Sequence, residues 1–316
     1  MKNPALLVAG AALLATVAGA LWWRMGSPAP IPVLAGLDDA KMASLYASPL
    51  PVIDRPLSVF HIGHSLVNRD MPAMLAQLAG EGHRYESQLG WGAQLQSHWG
   101  DSPVNGFEAE NAHPRYRDAR EAVNSGDYDA IVLTEMVEIR DALRYFDSAR
   151  YLAQFAESAL AARPDARIYL YETWHPLDDP EGWLERIDAD LARYWEAGIL
   201  RPALLHLPEG SRIQLIPAGQ ALAALVRTIE AEGGVGNVTD RRDLFSDQIH
   251  LNDLGNYFIA LVHYAVLYGS SPEGLPHELK RADGTAADAP APETARLMQQ
   301  IAWQVARSTP LTGLAP

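Results

Sequence analysis

The sequence predicts an α/β/α sandwich, three layers deep, around a mainly parallel five-stranded sheet. Three observations predict it. Five strand-length runs recur along the chain, longer stretches with helical periodicity separate them, and 316 residues with 48% hydrophobic content suffice to bury one full core. The first strand is Leu57 to Ile62, followed by a helix at Met71 to Gly80 that gathers Met74, Leu75 and Leu78 on one face. Arg84 to Leu89 is the second strand. A Gly-Asp turn introduces the third, Ala130 to Thr134, and the amphipathic stretch Phe146 to Ala162, stopped by Pro164, leads to the fourth, Ile168 to Glu172. Ile213 to Ile216 is the fifth. Helices at Ala218 to Glu232 and Asp253 to Tyr268 follow it, and a Pro- and Ala-rich loop to about Pro292 reaches a last helical stretch at Ala295 to Val305. Strands alternating with helices give a parallel sheet covered on both faces.

Upstream of this domain, assigned to residues 57–316, lie two segments of other character. Residues 25–56 carry Pro28, Pro30, Pro32, Pro49, Pro51 and Pro56, which read as a Pro-rich linker with one short helix near Asp38 to Tyr46. Residues 1–24 read as an export segment: Lys2 precedes an uncharged run from Pro4 to Trp23, and Arg24 closes it. Its 20 residues are just enough to span a bilayer at about 1.5 Å per residue, so an uncleaved anchor competes with a cleaved signal peptide. Ala18-Gly19-Ala20 offers small residues for cleavage, while Leu21, Trp22 and Trp23 fit an interfacial anchor better. The expectation is a periplasmic or otherwise extracytoplasmic protein held at the membrane through residues 4–23.

Composition excludes several functions. Twenty-five Lys plus Arg against 39 Asp plus Glu leave a formal charge of -14, without the basic run that nucleic-acid binding needs. The absence of cysteine removes disulfides, thiolate metal sites and a Cys nucleophile. Ten histidines occur, yet none stands in a metal-ligand spacing such as His-Glu-x-x-His, so neither a metal nor another cofactor is expected.

In open α/β sheets ligands bind beyond the carboxyl ends of the strands, which directs attention to three places. After the first strand, Gly63-His64-Ser65-Leu66 puts a serine in the turn toward the next helix. Just before the helix at Asp253, Asp247-Gln248-Ile249-His250 puts a carboxylate three residues ahead of an imidazole. That pair is suited to take a proton from a serine hydroxyl and to stabilise the resulting imidazolium. Taken singly, Ser65 is an ordinary turn residue and Asp247 an ordinary cap. After the fourth strand, Glu172-Thr173-Trp174-His175 sets an indole among polar groups, as a sugar or acyl contact would, although a core Trp beside a surface His is an equal reading.

Together the first two blocks resemble the SGNH/GDSL hydrolase family, in which an early Gly-Asp-Ser-Leu-like block carries the nucleophile and a late Asp-x-x-His block the other two members. Leu215-Ile216-Pro217-Ala218-Gly219 and His250-Leu251-Asn252-Asp253-Leu254-Gly255 are similar to the closing third of such enzymes, so the resemblance runs from about Leu57 to Tyr268. It implies a flavodoxin-like sandwich and ester hydrolysis by Ser65, His250 and Asp247. It also implies an oxyanion hole from the Ser65 N–H and a Gly after the second strand, Gly92 being preferred to Gly90 because it lies further into the turn. The family's third donor, an Asn after the third strand, is absent. Thr134-Glu135 stands there, which leaves the Thr134 hydroxyl as a candidate donor and Glu135 as a candidate substrate contact, with Glu172, Trp174 and His175 beside it. His64 replaces the Asp of the motif name. An α/β-hydrolase is disfavoured because the second Gly of Gly-x-Ser-x-Gly is missing. The favoured substrate is an O-acetyl group on an envelope or extracellular glycan. The alternative is a non-catalytic carbohydrate-binding or scaffold protein that retains the fold.

Overall fold

The structure is a computed structural model that describes residues 29–315; the export segment expected at residues 1–24 lies outside them. The chain divides into two units, residues 1–32 and 33–316, and the sheet and the helices of the described residues belong to the second. Among the described residues no helix is long and apolar enough to cross a membrane.

A short helix α1 (Asp39–Leu45) precedes β1 (Ser58–His64), α2 (Asp70–Ala79) and β2 (Arg84–Gly90). Three short helices follow, α3 (Leu95–Trp99), α4 (Phe107–Asn111) and α5 (Ala119–Ser125), then β3 (Ala130–Leu133), α6 (Ile139–Tyr145) and α7 (Ser148–Ala162). After β4 (Arg167–Glu172), α8 (Trp183–Asp190) widens into a π-helix (Leu191–Leu200) and closes as α9 (Arg201–Leu204). The last elements are β5 (Ile213–Pro217), α10 (Ala218–Glu232), α11 (Asp253–Tyr268) and α12 (Pro292–Ser308).

All four strand pairings are parallel and the order is β2-β1-β3-β4-β5, so the expected five-stranded α/β sheet is present. This is the flavodoxin-like order, in which the chain runs out to β2 and returns past β1 to β3; the crevice opens where that direction reverses, beyond the ends of β1 and β3. The inner strands β1, β3 and β4 are buried along almost their whole length because helices cover both faces, whereas the edge strand β2 opens with the polar Arg84, Glu86, Ser87 and Gln88 and is buried only from Ser87 on. Val59, Val132, Tyr169, Tyr171 and Ile216 meet α2, α10, α11 and α12, and α11 is buried along almost its whole length.

The helix expected at Phe146 to Ala162 is present as α7, which Asp147, at φ 47° in a left-handed conformation that no helix continues through, separates from α6. One expectation is corrected. Residues 37–56 are not a free tether. The Leu37 and Leu50 N–H groups donate to Arg201 O and Gly313 O, Ile53 N–H donates to Tyr268 O, the Tyr46 hydroxyl to Ile213 O, and Arg55 pairs with Asp129. After α1, Pro49, Pro51 and Pro56 keep the chain out of helix but permit an extended path whose remaining donors find partners on the body.

Candidate active site

The site is assembled from two turns that the sheet brings together. β1 stops at His64, and a turn over residues 65–67 delivers the half-buried Ser65 at the strand's carboxyl end. Asn68, at φ 45°, then accepts from the Asp70 and Met71 N–H groups to start α2 and donates to Asn256 of α11. Gly63 is required where β1 passes β3: a Cβ there would lie 2.9 Å from Val67 Cγ2 and closer still to Thr134 Cγ2.

The second turn carries Asp247 and His250. Phe245 and Leu251 bridge across its neck, Ser246 N–H donates to His250 O, and Asn252 caps α11 through the Leu254 and Gly255 N–H groups. Asp247 Oδ1 accepts from the Ile249 and His250 N–H groups at 2.8 and 2.7 Å, and Oδ2 lies 2.7 Å from His250 Nδ1. Partial desolvation opposes its ionisation, but these donors and the His250 ring prevail and hold the carboxyl down at about 2. An ionised carboxylate only accepts, so Nδ1 carries a proton and Nε2 presents its lone pair. Ser65 Oγ is 2.9 Å from that Nε2, across a sequence separation of 185 residues. Ser65, His250 and Asp247 thus form one continuous hydrogen-bonded relay.

Several buried side chains that the sequence did not identify hold this arrangement in place. His64 Nδ1 accepts from Leu66 N–H, so its Nε2–H donates to Glu135 O at 2.8 Å. His98 accepts from Gln88 on one ring nitrogen and donates to Gly63 O from the other. Burial lowers both imidazoles to about 4, against the hydrogen bonds that favour their charged forms, so both are neutral at neutral pH. The sequence signal was a His ending the first strand and a second in the short helix after β2, and neither position distinguishes a brace from a catalytic base.

The expected substrate contacts are corrected as a group. Trp174 is 0% exposed and donates from its indole to Ile249 O at 2.8 Å, which makes it a strut beneath the Asp247–His250 turn. Leu177 N–H adds a second strut, to Gln248 O. His175 is buried against Asp190 at 3.1 Å. Glu172 is buried against Gln220, and burial raises its carboxyl to about 8. Glu135 is also fully buried and raised to about 7 by desolvation. Its Oε1 accepts from the Met136 and Leu95 N–H groups and so ties the end of β3 to the loop after β2. A group closed off from solvent in this way reads no substrate.

The expected oxyanion donors divide. The Thr134 hydroxyl donates to Tyr171 O at 2.8 Å and its N–H to Ile62 O, so Thr134 has no proton to offer an oxyanion. His64 and Gly90 are register partners, so Ser65 and Gly92 lie on the turns that follow adjacent strand ends. Among the described residues neither the Ser65 nor the Gly92 N–H has an acceptor.

No family model matches the chain, and no curated protein matches it. Among solved structures, one match is a protein from Parabacteroides merdae provisionally described as a GDSL-like lipase. It is 14% identical, over 69% of this chain and 99% of that one, with a TM-score of 0.43. So distant a likeness carries no functional weight; the side-chain geometry carries it instead.

Proposed function

We infer that the chain is a serine ester hydrolase, distantly related to SGNH/GDSL enzymes, that works through an acyl-enzyme on Ser65. The observation that carries this reading is the relay from Asp247 Oδ2 through both His250 nitrogens to Ser65 Oγ, at 2.7 and 2.9 Å. Ser65 Oγ attacks the ester carbonyl carbon as His250 Nε2 takes its proton, and Asp247 stabilises the imidazolium. The carbonyl oxygen gains the negative charge and faces the Ser65 and Gly92 N–H groups, preorganised donors of the kind that together supply several kcal/mol. Collapse breaks the bond to the alcohol, which leaves with the proton from His250. Water, deprotonated by the same nitrogen, then releases the acid and restores Ser65.

The loss of Thr134 as a donor favours a second reading, a non-catalytic relative that binds without turning over. A fluorophosphonate probe separates the two, because phosphonylation requires an activated hydroxyl. The hydrolase reading expects labelling of the wild type, none in Ser65→Ala, and a rate roughly 1,000-fold lower or less in His250→Ala. A folded wild type that stays unlabelled, or a Ser65→Ala variant that labels normally, ends it.

A further inference from the structure

With Trp174 buried, a glycan substrate has to find its aromatic contact elsewhere, and we propose that Trp91 is a stacking platform for the sugar ring that carries the scissile ester. This rests on the hydrolase reading. Trp91 follows β2 immediately, as Ser65 follows β1, and the two strands end in register at His64 and Gly90, so Trp91 leaves the sheet on the edge-strand side of Ser65. Parallel neighbours lie about 4.8 Å apart, within the span of a single pyranose.

The ring is 57% exposed yet fixed. Its backbone N–H donates to Asn105 O at 2.7 Å, and its Nε1–H donates to Glu110 Oε1 at 2.7 Å. One face lies flat on Gly106, where any Cβ would stand 2.6 Å from Cε2 and closer to the adjoining ring atoms, so only a glycine accommodates it. The open area is therefore the opposite face, held in one orientation before any ligand arrives, which lowers the ordering cost of binding. Glu110 Oε2 has no protein partner among the described residues and sits at the ring's edge, ready to accept from a hydroxyl.

An apolar plate with an acceptor at its rim matches a pyranose, whose C–H face is apolar and whose hydroxyls radiate in its plane. It matches a fatty acyl chain poorly. The other exposed large apolar side chains among the described residues, Val33, Leu34, Val52, Tyr145 and Leu205, do not directly follow a strand, so Trp91 is the one set at the carboxyl end of the sheet. A short acyl group on a sugar fits both facts.

The test uses the full chain. Hydrolysis of acetylated xylo-oligosaccharide is compared with that of glyceryl triacetate, in wild type, Trp91→Phe and Trp91→Leu. The expected result is a preference for the sugar ester that falls about tenfold in Trp91→Leu, through KM, and survives largely in Trp91→Phe. In a Ser65→Ala background the deacetylated oligosaccharide is titrated by tryptophan fluorescence, with saturation expected and lost on adding Trp91→Leu. Protection of Trp91 from N-bromosuccinimide oxidation by the same oligosaccharide, located by mass spectrometry, needs no variant and covers the case of a Leu variant that fails to fold. Trp91-dependent binding without hydrolysis by the wild type retains the sugar platform and discards the hydrolase. Hydrolysis with no Trp91-dependent preference, binding or protection overturns the platform and leaves the hydrolase standing. A preference for 4-nitrophenyl octanoate that Trp91→Leu abolishes also overturns it, by assigning the ring to the acyl chain.

Discussion

Replacing Gly63 by Ala tests how the Ser65 turn is held. The added methyl would lie 2.9 Å from Val67 Cγ2 and closer to Thr134 Cγ2, whereas ordinary contact begins at 3.4 Å. Both neighbours are fully buried and neither is the loose end of a long side chain, so β1 and β3 must spread. Overpacking of this kind costs about 1–3 kcal/mol, and the upper half of that range is expected because two contacts are violated. The displacement also reaches the Gly63 carbonyl that accepts from His98, two residues before Ser65, so kcat should fall by more than the loss of stability alone explains. Thr134→Ser deletes the offending Cγ2 and keeps the hydroxyl that donates to Tyr171 O; on its own it costs about 1 kcal/mol for the lost methyl. The double variant should therefore recover about 1–2 kcal/mol relative to the sum of the singles, with the remaining cost coming from Val67. Urea denaturation of the four proteins gives the coupling energy. Additivity to within about 0.5 kcal/mol would refute the claim that Thr134 is what makes Gly63 necessary.

Trp174→Phe should lower kcat with little change in KM and cost about 2–4 kcal/mol, because it leaves the Ile249 carbonyl unpaired and a cavity beneath the His250 turn; urea denaturation with steady-state kinetics reads both, and an unaltered kcat would mean that the strut does not position His250. For Glu135→Gln the sign follows from protonation: the folded carboxyl, raised by burial from 4.5 to about 7, holds its proton where the unfolded one has lost it, so wild-type folding stability falls as pH climbs from about 4.5 to 7. The variant lacks that loss, so its stability relative to wild type should rise across this window and level off above it, and a difference flat with pH would contradict the buried, protonated carboxyl. Deleting residues 1–24 should move the protein from the membrane to the soluble fraction on cell fractionation, since their uncharged run is the expected anchor, and a truncated protein that still pellets with membranes would remove that role.

The sheet was legible because each strand is bracketed by turn residues and separated from the next by helical periodicity, and the observed strands begin and end within two residues of those read from the sequence. The relay was legible for a different reason: Asp247 and His250 sit on one turn, and the position of Ser65 at a strand end is fixed by the pattern. What sequence could not separate was Trp91 from Trp174. Both follow a strand, and only the later path of the chain distinguishes them. Residues 176–190 fold back behind β4, with Arg186 buried among Asp190, Asp179 and Glu138 to keep them there, whereas Trp91 rests on Gly106, Asn105 and Glu110 and keeps most of its ring open. Thr134 was misread for a similar reason. Its hydroxyl is occupied by a carbonyl on the neighbouring strand, which only the register of β3 with β4 reveals. The prolines around α1 mark where helix cannot form, and say nothing about whether an extended chain lies free or docked.

Because α11 is enclosed on nearly every side, it gains its environment only when α2, α10 and α12 are all present, and α12 ends at Ser308. Asn252, the cap of α11, adjoins His250. A chain emerging from the ribosome owns Ser65 early and His250 late, and the packing that couples the two is assembled only once α12 has been synthesised. On the proposed reading, a product terminated before α12 is expected to lack the coupled pair, and its failure to label with a fluorophosphonate probe would show it.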